Sequence, residues 1–185
     1  MRRCAIALLH HPVLDGKGAI VTTAVTNLDV HDLARTARTY ALSDYFVAHP
    51  ISAQRELVAR ILEHWTEGSS GKRIPDRREA LRVLRIVASL EDAIEAMGGR
   101  ARVDLWVTAA RELGSSLPCG VARDRLAGDG NPVLIVFGTG GGLAPSIVAG
   151  ADAILEPIRA EGGDYNHLSV RAACAIAVDR LFGKR

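Results

Sequence analysis

Between Val133 and Leu143 the chain reads Val-Leu-Ile-Val-Phe-Gly-Thr-Gly-Gly-Gly-Leu, an apolar run that ends in Gly138, Thr139, Gly140, Gly141 and Gly142. Glycines after a buried strand let the backbone approach a ligand closely and take positive φ. Two familiar ligand loops, which would make this a nucleotide-binding α/β domain, are disfavoured by the spacing. A phosphate-binding P-loop ends in Gly-Lys followed by Ser or Thr, and that triplet is missing here. A dinucleotide fingerprint needs its third glycine three residues after the second, where Leu143 stands. A plain strand-to-helix turn is the bland alternative, and such a turn rarely needs four glycines. A second segment follows, Ile154-Leu155-Glu156-Pro157-Ile158 and then Gly162-Gly163-Asp164-Tyr165-Asn166-His167-Leu168-Ser169-Val170-Arg171. Asn166 or Ser169 would serve as a helix N-cap. A cap does not account for Tyr165, Asn166, His167 and Ser169 together.

The elements that must position these loops alternate. Short apolar runs, bounded on both sides by helical patterns, predict an α/β fold with a mostly parallel sheet flanked by helices. The expected strands are Ala5–Leu9, Tyr45–Ala48, Val83–Ala88, Val103–Thr108, Val133–Phe137 and a short Ala153–Leu155. Helices are expected from a cap at Asn27 or Asp29 to about Tyr40, from Ser52 to Trp65, from Pro75, and from Leu90 to Met97 behind Ser89 and Asp92. A last helix runs from Leu168 to Phe182. Gly68 to Lys72 reads as an exposed loop, and the whole chain, 1–185, as one domain.

Taken in order, the strand with its glycine loop, then Leu-Glu-Pro-Ile, then Asn-His-Leu-Ser-Val before an amphipathic helix resemble the last two motifs of the SPOUT methyltransferases. Asn27-Leu-Asp29-Val-His31-Asp32-Leu-Ala-Arg35 is similar to the first motif of the SpoU branch, in which an asparagine lies six residues before an arginine. Here Asp29 takes the asparagine position, and Thr139-Gly140 stands in place of the usual Asn-Glu. The resemblance extends to Leu-Leu-His-His-Pro-Val near the start and His64-Trp65-Thr66-Glu67-Gly68 in the middle, a pattern similar to a small stand-alone bacterial family classed as RNA methyltransferases.

The resemblance implies a C-terminal trefoil knot, with knot and cofactor site in about 103–185. The implied cofactor is S-adenosylmethionine and the implied substrate a nucleotide of tRNA or rRNA. Cofactor contacts would come from Thr108, Phe137, Gly138, Thr139, Gly140, Gly142, Leu155, Pro157, Ile158, Tyr165, Asn166, His167, Leu168 and Ser169, with Leu155, Ile158 and Leu168 walling the adenine. Arg35, Asp29 and Asn27 are the catalytic candidates. Arg35 would orient RNA phosphate or polarise the acceptor, since a guanidinium bonds phosphate in pairs. Asp29, Asp164 or His167 would accept a proton. Arg35 as a surface arginine and Asp29 as a cap remain open alternatives, as does a knotted protein that binds S-adenosylmethionine or RNA without catalysis. SPOUT enzymes pair through helices beside the knot, so a homodimer through the helix from Asp29 and the final helix is expected.

Bulk properties agree with a cytoplasmic protein and add little more. No apolar run approaches the ~20 residues of a membrane span. The opening Met1 to Leu9 is cut short by His10, His11 and Pro12 and lacks a signal-peptide cleavage site. Cys4, Cys119 and Cys174 are three in number and far apart, which argues against a disulfide framework or zinc site. The six histidines form no HxxxH or His-carboxylate cluster, so no metal is expected, and His10, His11, His31, His49 and His64 read as loop or satisfied core residues. A net charge of +2 neither demands nor excludes RNA. The basic stretch Lys72, Arg73, Arg77, Arg78, Arg82 and Arg85 is the one local candidate, with Arg78, Arg82 and Arg85 expected on one helical face.

Overall fold

A computed structural model of the chain describes residues 1–163 and 165–184. Six strands form one sheet: β1 (Cys4–Leu9), β4 (Asp44–Ala48), β5 (Leu84–Val87), β6 (Asp104–Val107), β7 (Val133–Gly138) and β8 (Ala153–Ile154). Their order is β5-β4-β1-β7-β6-β8, with every neighbouring pair parallel. Between β1 and the first helix lies a small antiparallel pair, β2 (Val13–Leu14) and β3 (Ile20–Val21). The helices are α1 (Asn27–Thr39), α2 (Ser52–Thr66), α3 (Ser69–Arg73), α4 (Pro75–Leu81), α5 (Leu90–Met97), α6 (Cys119–Ala127), α7 (Pro145–Ala149) and α8 (Val170–Phe182).

All six residues of β1 are buried, because helices cover both faces of the sheet. Ile6, Leu8, Tyr45, Val47, Trp106, Ile135 and Phe137 turn to one face, where they pack with α1, α6 and α8. Ala5, Ala7, Leu9, Phe46, Leu134 and Val136 turn to the other, where Leu90, Ala93, Ile94 and Met97 of α5 meet them. Fully burying one such aliphatic side chain contributes ~1.5–3 kcal/mol. At the N-terminal edge the buried Asp44 carboxylate accepts from Arg3 at 2.8 Å and from Arg85, which ties β1, β4 and β5 together. Burial alone would raise the Asp44 pKa, but the bonds from Arg85, Arg3 and Ser43 outweigh it and hold it below the usual carboxylate value.

The chain leaves β1 toward β4 and β5, then crosses to β6 and returns to insert β7 beside β1 before running out to β8. The loops after β1 and β7 therefore depart in opposite directions. Such a switch point opens a crevice at the carboxyl ends of the strands, where open α/β sheets bind ligands.

The expected strands are all present, within a residue or so at each end. Four local readings need correction. Thr26, not Asn27 or Asp29, caps α1: its Oγ1 accepts from the Asp29 amide and donates to the Asp29 carboxylate at 2.6 Å. Gly68 to Lys72 is no exposed loop, since α3 occupies Ser69–Arg73 with Ser70 and Gly71 buried, and a Cβ at Gly71 would overlap the Trp65 carbonyl at 1.9 Å. The basic stripe is broken: α4 ends at Leu81, Arg85 sits in β5 against Asp44, Arg82 pairs with Glu79, and Arg77 lies over the Trp65 ring. The final helix begins at Val170 behind the Ser169 cap and not at Leu168, because Ser169 Oγ accepts from the Ala172 amide at 3.2 Å. Ile135→Ala should destabilise the protein by ~2–5 kcal/mol, measured by urea unfolding, because the strand is packed on both faces and cannot close over the lost volume.

Candidate functional site

The glycine loop is shaped by a hairpin that the sequence reading missed. Leu14 donates its amide to Gly142 at 2.9 Å, Gly141 returns one to Leu14, and Val13 bridges Leu143 in antiparallel fashion. Residues 12–23 thus lie along the loop as a third edge. A Cβ on Gly140 or Gly141 would come within 2.7 Å of the Leu14 or Asp15 carbonyl, and Gly140 also has a positive φ of 60°. Those two glycines are required by the hairpin whatever the loop binds. Gly142, with φ 106° and open space where its Cβ would be, is the glycine that faces free volume. The amides of Thr139, Gly141 and Gly142 are all spent on protein carbonyls.

The second segment lies against the loop that follows β6. Leu117 pairs with Leu155 as a parallel bridge, the Leu155 amide reaches Val107 at 2.9 Å, and the Glu156 amide reaches Leu117 at 3.0 Å. Glu156 also accepts from the Cys119 amide at 2.9 Å, and the Asn166 side-chain amide donates to the Ala110 carbonyl at 2.7 Å. Loops 108–118 and 155–169 are thereby joined at the carboxyl ends of β6 and β8, and the glycine loop leaves the neighbouring β7 at the same end of the sheet. Leu155 is buried and Pro157 and Ile158 half-buried, whereas Tyr165 (78% exposed), Asn166, His167 and Leu168 (42% exposed) form an open rim on which the Tyr165 and His167 rings meet edge to face.

Several side chains expected at the cofactor are already engaged. Thr108 turns its hydroxyl to the Val136 carbonyl at 3.0 Å. The Phe137 ring is in the core, so this residue can offer a ligand only its backbone. Ser169 is the α8 cap. Asp164 lies outside the described residues. No group of three metal-ligating side chains occurs among the described residues.

The first motif is joined to α8. Asp29, only 6% exposed, accepts from Thr26 and faces Arg171 at 3.8 Å, while Arg171 also reaches Asp32 at 3.4 Å. Tyr45 donates its hydroxyl to the Asp29 carbonyl at 3.2 Å. The Asp29 carboxylate is therefore a buried tie between helices. Asn27 is exposed on the first turn. Arg35 is exposed in an open groove between α1 and α8, lined also by Asp32, Thr36, Tyr40, Arg171 and Ala175. No ion pair binds Arg35 among the described residues.

His10 is fully buried where β1 ends, its ring stacked on His49 with centroids 5.2 Å apart. Its Nδ1 meets Thr23 Oγ1 at 3.0 Å, that hydroxyl meets Thr139 Oγ1, and Thr139 Oγ1 reaches the Leu9 carbonyl at 3.1 Å. His10 Nε2 has no partner among the described residues, so His10 is a core histidine but not a satisfied one. An unmet buried polar atom costs ~1–3 kcal/mol. Burial, then the neighbouring His49, lower the His10 pKa from 6.5 to about 4. The sequence signal was present in the doublet His10-His11 closing a strand, yet its partner Thr23 lies across a hairpin that no periodicity announces. Because the unfolded chain binds the proton more readily, His10 contributes stability that is complete above pH ~6.5 and is lost as pH falls toward 4, by at most ~3 kcal/mol. Chemical denaturation between pH 7.5 and 4.5 should show this slope, and His10→Asn should flatten it.

A family model described as SAM-dependent RNA methyltransferase matches residues 3–183. The chain belongs to that family. It is 44% identical over 184 residues to a tRNA (guanine-N(1)-)-methyltransferase of Nitratidesulfovibrio vulgaris, a match that covers 98% of this chain and 42% of that protein. The chain thus spans less than half the length of this curated relative. An uncharacterized protein of Aquifex aeolicus is 40% identical over 181 residues, with 97% of this chain and 88% of that one covered. Among solved structures, the TrmH/SpoU tRNA modifying enzyme of A. aeolicus superposes with a TM-score of 0.59 at 13% identity, over 98% of this chain and 74% of that one. That likeness speaks for the fold alone.

Proposed function

We propose that this chain binds S-adenosylmethionine in the crevice made by loops 108–118, 138–142 and 155–169, and transfers its methyl group to a nucleotide of tRNA or rRNA. The observation that carries the reading is the pairing of loops 108–118 and 155–169 at the carboxyl ends of β6 and β8, next to the strand that bears the glycine loop, in a chain whose family is that of S-adenosylmethionine-dependent RNA methyltransferases. The surroundings suit the cofactor. The half-buried Ile158 supplies an apolar wall for a flat base, Gly142 leaves room for close approach, and Tyr165 and Leu168 stand exposed at the rim. When bound, the cofactor supplies an electrophilic methyl on a sulfonium sulfur. The protein's task is then to hold that group in line with the acceptor and keep water away.

The crossing of segment 155–166 against loop 108–118 supports a trefoil knot within a single domain. Arg35, exposed and unpaired in the α1–α8 groove, is the candidate to orient the RNA, while Asn27 lies exposed at the start of α1, ~12 Å away along the helix axis. A homodimer would pair through α1 and α8, the helices that flank this groove. Lys72 and Arg73 on α3 remain candidates for phosphate contact, though Arg77, Arg82 and Arg85 are engaged within the protein. No helix among the described residues is long and apolar enough to cross a membrane, which fits a cytoplasmic RNA enzyme.

One observation favours a second reading, a knotted S-adenosylmethionine- or RNA-binding protein without catalysis. The Asp29 carboxylate is buried, accepts from Thr26 and faces Arg171, so it is engaged within the protein and not presented to a substrate. Two measurements separate the readings. Calorimetry should show one S-adenosylmethionine per chain, and absence of binding would sink both cofactor readings. Transfer of a labelled methyl onto bulk bacterial RNA should follow, with Arg35→Ala lowering it roughly a hundredfold while cofactor affinity is kept. Binding without transfer would establish the second reading.

A further inference from the structure

Five residues, Gly138 to Gly142, carry one side chain beyond Cα between them, that of Thr139. Glycine backbones are the most costly to order, so the loop depends on outside contacts for its shape. The hairpin grips its backbone from one side. From the sheet side Leu9 holds the Thr139 amide at 3.2 Å and its hydroxyl at 3.1 Å, and His10 reaches the same hydroxyl through Thr23.

The proton positions in this relay follow from its acceptors. The Leu9 carbonyl can only accept, so Thr139 Oγ1 donates to it. Thr139 Oγ1 then accepts from Thr23 Oγ1, which leaves Thr23 Oγ1 to accept from His10 Nδ1–H. This ordering alone gives each of the three contacts its own proton. The reverse ordering leaves the Thr139–Leu9 contact without a proton and buries an orphan N–H on His10, which is rarer than an unmet acceptor. His49 holds the geometry from the far side: its Nε2 donates to the Thr23 carbonyl at 2.9 Å while its Nδ1 accepts from the Ile51 amide at 3.1 Å. Both rings are neutral, and each tautomer is dictated by its neighbours. A Phe would fill the His10 site without leaving an unmet nitrogen. The one thing a histidine supplies there is the Nδ1–H that starts the relay.

We propose that His10 is a positioning residue that, through Thr23, locks Thr139 and so presets the glycine loop for S-adenosylmethionine. The proposal rests on the cofactor reading above. It also assigns Thr139 a different task from ligand contact, since its hydroxyl is spent on Leu9.

The test is a cycle of His10→Phe, Thr23→Val and their double variant, with His10→Asn as the conservative rescue, because an Asn amide can place N–H near the Nδ1 position. Cofactor affinity by calorimetry and thermal midpoint are read on each. His10→Phe and Thr23→Val should each weaken S-adenosylmethionine about tenfold, ~1.4 kcal/mol, the double variant should be no worse than either alone, and His10→Asn should stay within about twofold of wild type. A lowered midpoint with unchanged affinity would overturn the proposal, as would losses that add. Nitrogen NMR of the unaltered protein gives an independent answer should the variants not fold: an Nδ1–H tautomer of His10 supports the relay and an Nε2–H tautomer refutes it. Wild-type protein that binds no S-adenosylmethionine defeats the cofactor reading and this proposal together. Binding that the variants leave untouched defeats this proposal alone.

Discussion

Pairing β7 with β1 joins strands from opposite ends of the chain, and the site depends on the register of that pair, Leu9 opposite Gly138. The next residues in each strand, His10 and Thr139, then emerge side by side on the face that carries α1 and α8. Shifting the pair by one residue would turn every side chain of β7 to the other face and put Ile135 and Phe137 under α5. Burial of β1 on both faces makes such a slip costly. The apolar core therefore fixes where the polar groups of the crevice stand.

Around that register the protein builds its loops by borrowing. The glycine loop takes its outer contacts from Leu14 and Asp15 of the hairpin and its inner contacts from Leu9 and Thr23. The segment at 155–169 takes its shape from the loop after β6, through Leu117, Cys119 and Ala110. This economy suits a site whose walls are mostly backbone, because few bulky side chains then intrude on the ligand.

Charge is handled in the same way. Asp29, Asp32 and Arg171 link α1 to α8, and Arg85 and Arg3 neutralise Asp44 at the opposite edge. Much of the basic stretch around α4 is consumed by such ties, so the net charge overstates the surface free for RNA. Arg35 stands out against this background as a guanidinium left in an open groove.

What the sequence by itself determined was the alternation of strands and helices and the placing of a glycine loop after β7 and a polar segment before the last helix. Apolar runs such as Val133–Phe137 and caps such as Ser89 are local features, written in adjacent residues. Ser169 and Asn166 were both visible as caps, and only the structure assigned the cap to Ser169 and gave Asn166 to Ala110. The hairpin was illegible because two-residue strands carry no period. The α3 turn was illegible because Gly-Ser-Ser-Gly reads as solvent-facing until Trp65 is packed over it. The tasks of Gly140, Thr139, Asp29 and His10 were decided by partners far away in the chain. A residue type can announce that it could do chemistry, but whether its hydroxyl, carboxylate or ring nitrogen is free depends on which distant group the fold has placed beside it.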